Sequence, residues 1–133
     1  MPDIMVEVGG SWLAGRQTAF LKAAHEAVVQ TLKTPIDEPL ARLIEHPSNC
    51  YLTPHSAGER FTRVEIVLFQ GRSLEAKREL YRVMVQKLRG FDVPAADVKV
   101  VLVEITSENV GFRGGQAACD VDLGYALKSD FSV

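Results

Sequence analysis

The chain has 133 residues, of which 47% are apolar and 24% charged, with a formal net charge of −2. This length predicts one domain with a sizeable core. The charge balance argues against a nucleic-acid-binding footprint, which needs a basic excess or stripe. The most apolar run, Val98 to Ile105, is interrupted by Lys99 and Glu104 and is too short to span a membrane.

Neither the start of the chain nor its cysteines indicate export. The first residues have no basic region followed by an apolar one, so we expect no signal peptide. Cys50 and Cys119 lie far apart and form no CxxC pair. Isolated cysteines without a secretory signal predict reduced thiols. We therefore expect a cytoplasmic protein.

Pro2 is followed at once by a strand pattern. Removal of Met1, which a small second residue permits, would leave proline as a free secondary amine. Ile4, Val6 and Val8 then alternate with Asp3, Met5 and Glu7, as in a half-buried strand. The pattern predicts a titratable amine held at the end of a strand, where a terminus would ordinarily be loose.

The remaining elements follow from periodicity and turn residues. The predicted elements are a helix from about Thr18 to Lys33, a strand from Leu40 to Glu45, a loop from Ser48 to Glu59, a strand from Phe61 to Phe69, a helix from Leu74 to Arg89 with Ser73 as N-cap, a strand from Asp97 to Thr106 and a short strand near Gln116 to Val121.

The two halves of the chain resemble each other. Gly15-Arg16 corresponds to Gly71-Arg72 at an offset of 56 residues, and Val6-Glu7-Val8 resembles Val64-Glu65-Ile66. We predict an α+β fold of tandem β-α-β units, about 2–47 and 60–106, each with parallel strands. Two helices can cover one face of the resulting four-stranded mixed sheet, so the open face predicts oligomerisation.

Ferredoxin-like regulatory domains have a similar element count, so the motifs must decide between families. The Pro2 start, the duplication and the stretch from Phe69 to Ser73 resemble the tautomerase superfamily. Within it, Thr34-Pro35-Ile36-Asp37-Glu38, Leu43-Ile44-Glu45-His46-Pro47 and the segment from Glu108 to Ala117 are most similar to malonate semialdehyde decarboxylases and related tautomerase-like bacterial proteins.

The resemblance implies a single tautomerase-fold domain that assembles as a homotrimer, with sheets packed around a central barrel. It implies an active site around each amino-terminal proline and no metal or organic cofactor. Members act on small 2-oxo acids and their enols, or on related unsaturated or semialdehyde acids. We expect the C-terminal segment, 107–133, to contact a neighbouring subunit.

Pro2 is the predicted general acid/base. An α-amino group ordinarily has a pKa near ~8, and burial or a nearby cation favours the neutral amine that abstracts protons. Arg72 is the predicted carboxylate ligand, because a cation before a helix is disfavoured unless an anion binds there. The alternative for Arg72 is inherited architecture, since Arg16 has the corresponding place in the first half.

The resemblance also assigns residues around Pro2. Glu38 aligns with the branch's acidic residue, which acts through water or holds the carbonyl side, and the adjacent Asp37 could replace it. Gln70 occupies a substrate-binding position where the branch often has a second arginine. That replacement, with Val110 and Gly111 in place of tryptophan and serine, argues against decarboxylation.

We therefore predict keto-enol tautomerisation of a small 2-oxo acid. One alternative is a decarboxylase or hydratase acting on malonate semialdehyde or an unsaturated acid. Another is a non-catalytic ligand-binding trimer, which retention of Met1 would favour. His25, His46, His55 and Cys50 lack the spacing of metal ligands, so we predict structural roles for them.

Overall fold

The computed structural model describes residues 1–123. Its strands and helices are β1 (Asp3–Gly9), α1 (Gln17–Leu32), β2 (Ala41–His46), β3 (Thr62–Phe69), α2 (Leu74–Arg89), β4 (Val98–Ile105), β5 (Gly111–Phe112) and β6 (Gln116–Ala117). Single 3-10 turns lie at Ser48–Cys50, Ala95–Asp97, Ser107–Asn109 and Ala118–Asp120.

The main sheet has the strand order β2-β1-β3-β4. Each outer strand runs parallel to its neighbour, and the two central strands are antiparallel. Each parallel pair is joined through one helix, as in a β-α-β unit. The predicted four-stranded mixed sheet of two such units is confirmed.

A pseudo-two-fold axis relates the two units. Val6 lies opposite Val64 across the antiparallel pair, and these are the residues that the repeat aligns. Beyond the strands, Gly10 N donates to His46 O in the first unit and Gln70 N to Ile105 O in the second, both at 2.8 Å. Corresponding features therefore lie at opposite ends of the sheet.

Both helices pack on one face of the sheet, and the core lies between the helices and that face. In β1 the residues Ile4, Val6 and Val8 are fully buried, and Phe20 and Leu80 contribute from the helices. Burial of a large aliphatic or aromatic side chain stabilises a fold by about 1.5–3 kcal/mol. The alternation in β1 and the helical spacing in α1 and α2 thus predict which face is buried.

The other face of the sheet carries charges at its centre. The Glu7 carboxylate lies 2.9 Å from His46 Nε2 and 3.5 Å from Arg63, which also contacts Glu65 at 3.0 Å. These side chains are only partly exposed. On the outer strands this open face presents Ile44 and Val103, which are 38% and 39% exposed.

The structure refines several sequence predictions. The short strand near Gln116 is the two-residue β6, paired with β5 in a hairpin, and a 3-10 turn follows it. Ser73 caps α2 as predicted, with its hydroxyl accepting from Ala76 N at 3.1 Å. Helix α1 has no side-chain cap at Arg16.

Other predictions concern the cysteines, metals and membrane. Cys50 and Cys119 are exposed and form no disulfide. Residues 1–123 contain no cluster of side chains suited to a metal ion. None of the helices in that range has the length and apolar character to cross a bilayer. The expected subunit contact of the C-terminal segment falls partly on 124–133, outside the described residues.

Candidate active site

Pro2 lies at the end of the sheet where β3 terminates. It precedes Asp3, which pairs with Val67 near the end of β3. The next hydrogen bond along β1, from Ile4 N to Leu40 O at 2.9 Å, fixes the residues before β2 at the same end. Pro2 itself is half-buried. The register therefore brings the chain start close to two other loops.

The first of these loops follows β3 and contains Gln70 and Arg72. Gln70 N is bonded to Ile105 O, so this loop is tied to the end of β4, while the Gln70 side chain is exposed. Gly71 has φ +122°, a conformation open to glycine and rare for other residues. It turns the chain so that the half-buried Arg72 precedes the N-cap of α2.

The second loop joins α1 to β2 and contains Asp37 and Glu38. Both residues are exposed, and the Glu38 carboxylate lies 3.8 Å from the Arg113 guanidinium. His25 Nε2 lies 2.9 Å from the carbonyl oxygen of Ile36, which ties the loop to α1. Of the two acidic residues, Glu38 is the one that forms an ion pair within residues 1–123, and its partner is Arg113.

Arg113 is a residue of this end that sequence reasoning missed. It lies in the β5–β6 turn with φ +50°, followed by two glycines with positive φ. The left-handed region costs a residue with a side chain about 1 kcal/mol or more. Arginine within the glycine-rich late motif was the available signal, but its contact with Glu38 depends on the path of the chain after β4.

That path runs along the end of the sheet. The path begins at Ile105, the last residue of β4, whose carbonyl accepts from Gln70 N. Arg113 reaches the segment before β2, the strand at the opposite edge. The intervening 106–112 therefore passes the sheet end at which Pro2 lies. The loops at this end therefore carry Pro2, two arginines and two acidic residues.

The remaining candidates lie elsewhere. His46 is on the open face with Glu7, and His55 is exposed in the loop before β3. Arg16 lies at the start of α1, with its guanidinium 5.2 Å from the Phe91 ring centroid. The pseudo-two-fold axis places Arg16 at the end of the sheet opposite to Arg72, so the two arginines do not share a site within one chain.

The structure resembles solved structures over most of its length. A malonate semialdehyde decarboxylase inhibited by 3-bromopropiolate shares 18% identity, with 86% of this chain and 92% of that chain covered and a TM-score of 0.80. A fused 4-OT described as a symmetric trimer shares 27% identity over 87% and 95% of the two chains, with a TM-score of 0.77.

A further similar structure is Pt0534 inactivated by 2-oxo-3-pentynoate. It shares 21% identity, with 87% of this chain and 95% of that chain covered and a TM-score of 0.78. Together these likenesses establish the fold. No curated protein matches the chain in sequence.

A sequence profile described as "Tautomerase enzyme" matches residues 40–113. This match spans more than half of the chain, from β2 through β3, α2 and β4 to the β5–β6 turn. It includes the Gln70–Arg72 loop and Arg113, although not Pro2. The chain belongs to the tautomerase family.

Proposed function

We propose that the protein catalyses keto-enol tautomerisation of a small 2-oxo acid, with Pro2 as the general acid/base after removal of Met1. The observation that carries the proposal is the strand register, which brings Pro2, the Arg72 loop and the Asp37–Glu38 loop to one end of the sheet. A base and a carboxylate ligand are the two groups that this reaction needs.

In the proposed reaction each residue has a separate task. The Arg72 guanidinium binds the substrate carboxylate through paired N–H···O bonds. The Pro2 nitrogen accepts the enol hydroxyl proton and delivers a proton to the adjacent carbon, so the enol becomes the ketone without net change in protons. Glu38, held near Arg113, or Asp37 positions the substrate oxygen or a water, and Gln70 contributes an amide to the pocket.

We further propose a homotrimer assembled through the open face of the sheet. The fused 4-OT neighbours described as symmetric trimers support it, as do the exposed Ile44 and Val103 on that face. In such an assembly the C-terminal segment would contact a neighbouring subunit. The two isolated cysteines support a cytoplasmic protein, and the likeness to tautomerases supports a reaction without a cofactor.

Two measurements test the proposed reaction. Intact mass should show loss of Met1, and phenylenolpyruvate should be ketonised by the processed protein. Pro2→Ala should lower kcat/KM by about 10²–10⁴-fold, the usual contribution of a general acid/base. Pro54→Ala, in the loop before β3, is the matched control. Full activity of Pro2→Ala, or of protein that retains Met1, would refute the role of Pro2.

Arg72 has its own test. Arg72→Gln should lower kcat/KM by at least tenfold, because it removes a charge-assisted pair of hydrogen bonds to the substrate. Arg82→Gln, on the exposed surface of helix α2, should leave the rate unchanged. An equal effect of the two substitutions would exclude specific carboxylate binding by Arg72.

Decarboxylation of malonate semialdehyde is a second candidate, and one observation favours it. Gln70 removes a cation that this branch often has, but Arg113 brings a second guanidinium to the same end of the sheet, 3.8 Å from Glu38. Aldehyde production from malonate semialdehyde that is lost in both Pro2→Ala and Arg113→Gln would support this reaction. Turnover of neither probe by a processed trimer would leave a ligand-binding protein.

A further inference from the structure

The duplication creates a second strand-end environment at the opposite end of the sheet. With β1 and β3 aligned at an offset of 58 residues, Arg60 takes the place of Pro2. Arg16 takes the place of Arg72, and the 3-10 turn Ser48–Cys50 takes the place of Ser107–Asn109. The second end thus has an arginine where the first has its proline.

A cleft of about 390 Å³ opens at this second end. Its lining includes the backbone of Gly9 and Gly10, the side chains of Trp12 and Ser48, and Arg60. Gly10 has φ +86°, which turns the chain sharply after β1. The cleft falls in the size range of small-molecule sites, and its walls combine aromatic surface with hydrogen-bonding groups.

Two arginines without a carboxylate partner contact Phe91, and Arg60 is the one that lines the cleft. The Arg60 guanidinium lies 4.9 Å from the Trp12 ring centroid and donates to Phe91 O at 3.2 Å. Arg16 stacks on the Phe91 ring and donates to Leu13 O at 3.3 Å. Both side chains are half-buried, and within residues 1–123 neither forms an ion pair.

Each guanidinium group carries five N–H donors. One carbonyl contact each leaves most donors unused. The Trp12 Nε1–H is also buried without a hydrogen-bond acceptor from the described residues. Of the residues that line the cleft, Arg60 is the cation and the exposed Glu59 is the carboxylate, and no ion pair joins the two.

We propose that this cleft is a second, non-catalytic site for a small oxyanion, either the carboxylate of an organic acid or phosphate. Arg60 binds the anion through its planar fork of donors, which matches both chemistries. Arg16 adds a second positive charge from beside Phe91. Because Arg60 occupies the place of Pro2 and its backbone nitrogen is in a peptide bond, the site has no amine to act as a base.

Trp12 provides the readout, since it is the only tryptophan of the chain. Malonate and phosphate are each added to the intact protein at constant ionic strength, with chloride as the screening control. We expect a saturable change in tryptophan emission with at least one of the two anions. The anion that binds more tightly shows whether the site prefers an organic carboxylate or phosphate. Malonamide, which lacks the charge, should give no change in emission.

Variants assign the response to the cleft. Arg60→Gln should weaken binding at least tenfold, since charge-assisted hydrogen bonds are lost, and Arg60→Lys should bind with intermediate affinity. Lys22→Gln, an exposed cation on α1, controls for loss of charge. Arg72→Gln should bind as the wild type does, and Arg60→Gln should keep the Pro2-dependent activity, which separates this site from the proposed active site.

Amide chemical shifts of the wild type give a test that needs no variant. Oxyanion binding should shift the Gly9 and Gly10 amides and leave Gly114 and Gly115, at the other end, unchanged. No saturable response to either anion would overturn the proposal. So would an equal response of folded Arg60→Gln, or shifts confined to the Gly114–Gly115 turn.

Discussion

Tyr51 connects the loop after β2 to the open face of the sheet. Its hydroxyl donates to Glu7 O at 3.1 Å, and its ring stacks on His46 with centroids 5.2 Å apart. Burial, and then the negative charge of Glu7, raise the pKa of the Tyr51 phenol above its ordinary value of 10.0. Arg63 acts in the opposite direction but does not cancel them.

This shift predicts a loss of stability in alkali. The folded protein holds the phenol proton more tightly than the unfolded chain, so the associated free energy is present below pH 10 and is lost as pH rises through the folded pKa. Denaturant titrations between pH 9 and 12 should show a steeper decline for wild type than for Tyr51→Phe. Absorbance at 295 nm should show Tyr51 titrating at higher pH than free tyrosine in solution, and identical titration would contradict the prediction.

Gly9 is required by the same tyrosine. A Cβ atom built at Gly9 would lie 2.8 Å from Tyr51 Cδ2 and 3.2 Å from its Cβ, so the ring cannot avoid it by rotation alone. Gly9→Ala should lower the free energy of unfolding by about 1–3 kcal/mol, the usual cost of overpacking. The loss should shrink when Tyr51→Ala is combined with it, and a cost independent of Tyr51 would point to backbone effects instead.

The elements show how far sequence patterns determine this fold. Helix α2 has the predicted bounds, because Gly71 and Ser73 supply a turn and a cap. Helix α1 has no capping side chain at Arg16, and its predicted start differs by one residue. Alternation in β1 and β3 identifies the buried face, since each residue on the helix side is apolar or, at Thr62, hydrogen-bonded internally.

The candidate site was predictable in part. Pro2 and Arg72 adjoin strand ends, so the duplication predicts their common end of the sheet. Arg113 was not predictable, because its approach to Glu38 requires the chain after β4 to cross to the opposite edge. A two-residue strand such as β5 has too few residues to show a hydrophobic period. The positive φ of Arg113 is also a backbone conformation that residues with side chains rarely adopt.

The cap of α2 can be tested separately from the site. Ser73→Ala should lower the free energy of unfolding by about 1 kcal/mol, because the amide of Ala76 loses its acceptor. Ser73→Asp should retain most of the stability, since aspartate also caps helices well. Ser56→Ala, in an exposed turn, is the control for thermal denaturation. A neutral Ser73→Ala would mean that solvent satisfies the amide equally well.

At the scale of the whole molecule, the open face of the sheet is the surface through which the proposed trimer would assemble. Its charged centre, with Glu7 paired to His46 and Arg63, is flanked by apolar side chains on β2 and β4. Partly buried ion pairs contribute little to stability by themselves, but they disfavour incorrect pairing of surfaces. This pattern suits a face that meets copies of the same chain in one register.

The proposed trimer can be tested by a substitution on that face. Val103→Lys should shift the protein toward monomers, because a buried unpaired charge is costly at an interface. Gln86→Lys introduces the same charge on the exposed surface of α2 and should leave the mass unchanged. Analytical ultracentrifugation of both variants decides. A Val103→Lys protein of unaltered mass would exclude this face as the contact.

The pseudo-two-fold axis through Val6 and Val64 has a further consequence for chemistry that depends on a chain terminus. A polypeptide has one amino end, so joining two similar units in tandem leaves one of them without a free amine. The second unit keeps its strand, turn and helix, but its first residue is locked in an amide. A tandem duplication therefore makes the two units chemically unequal: only the first could present a terminal nitrogen, as the proposed role of Pro2 requires, and the second can carry another residue, here Arg60, at that place.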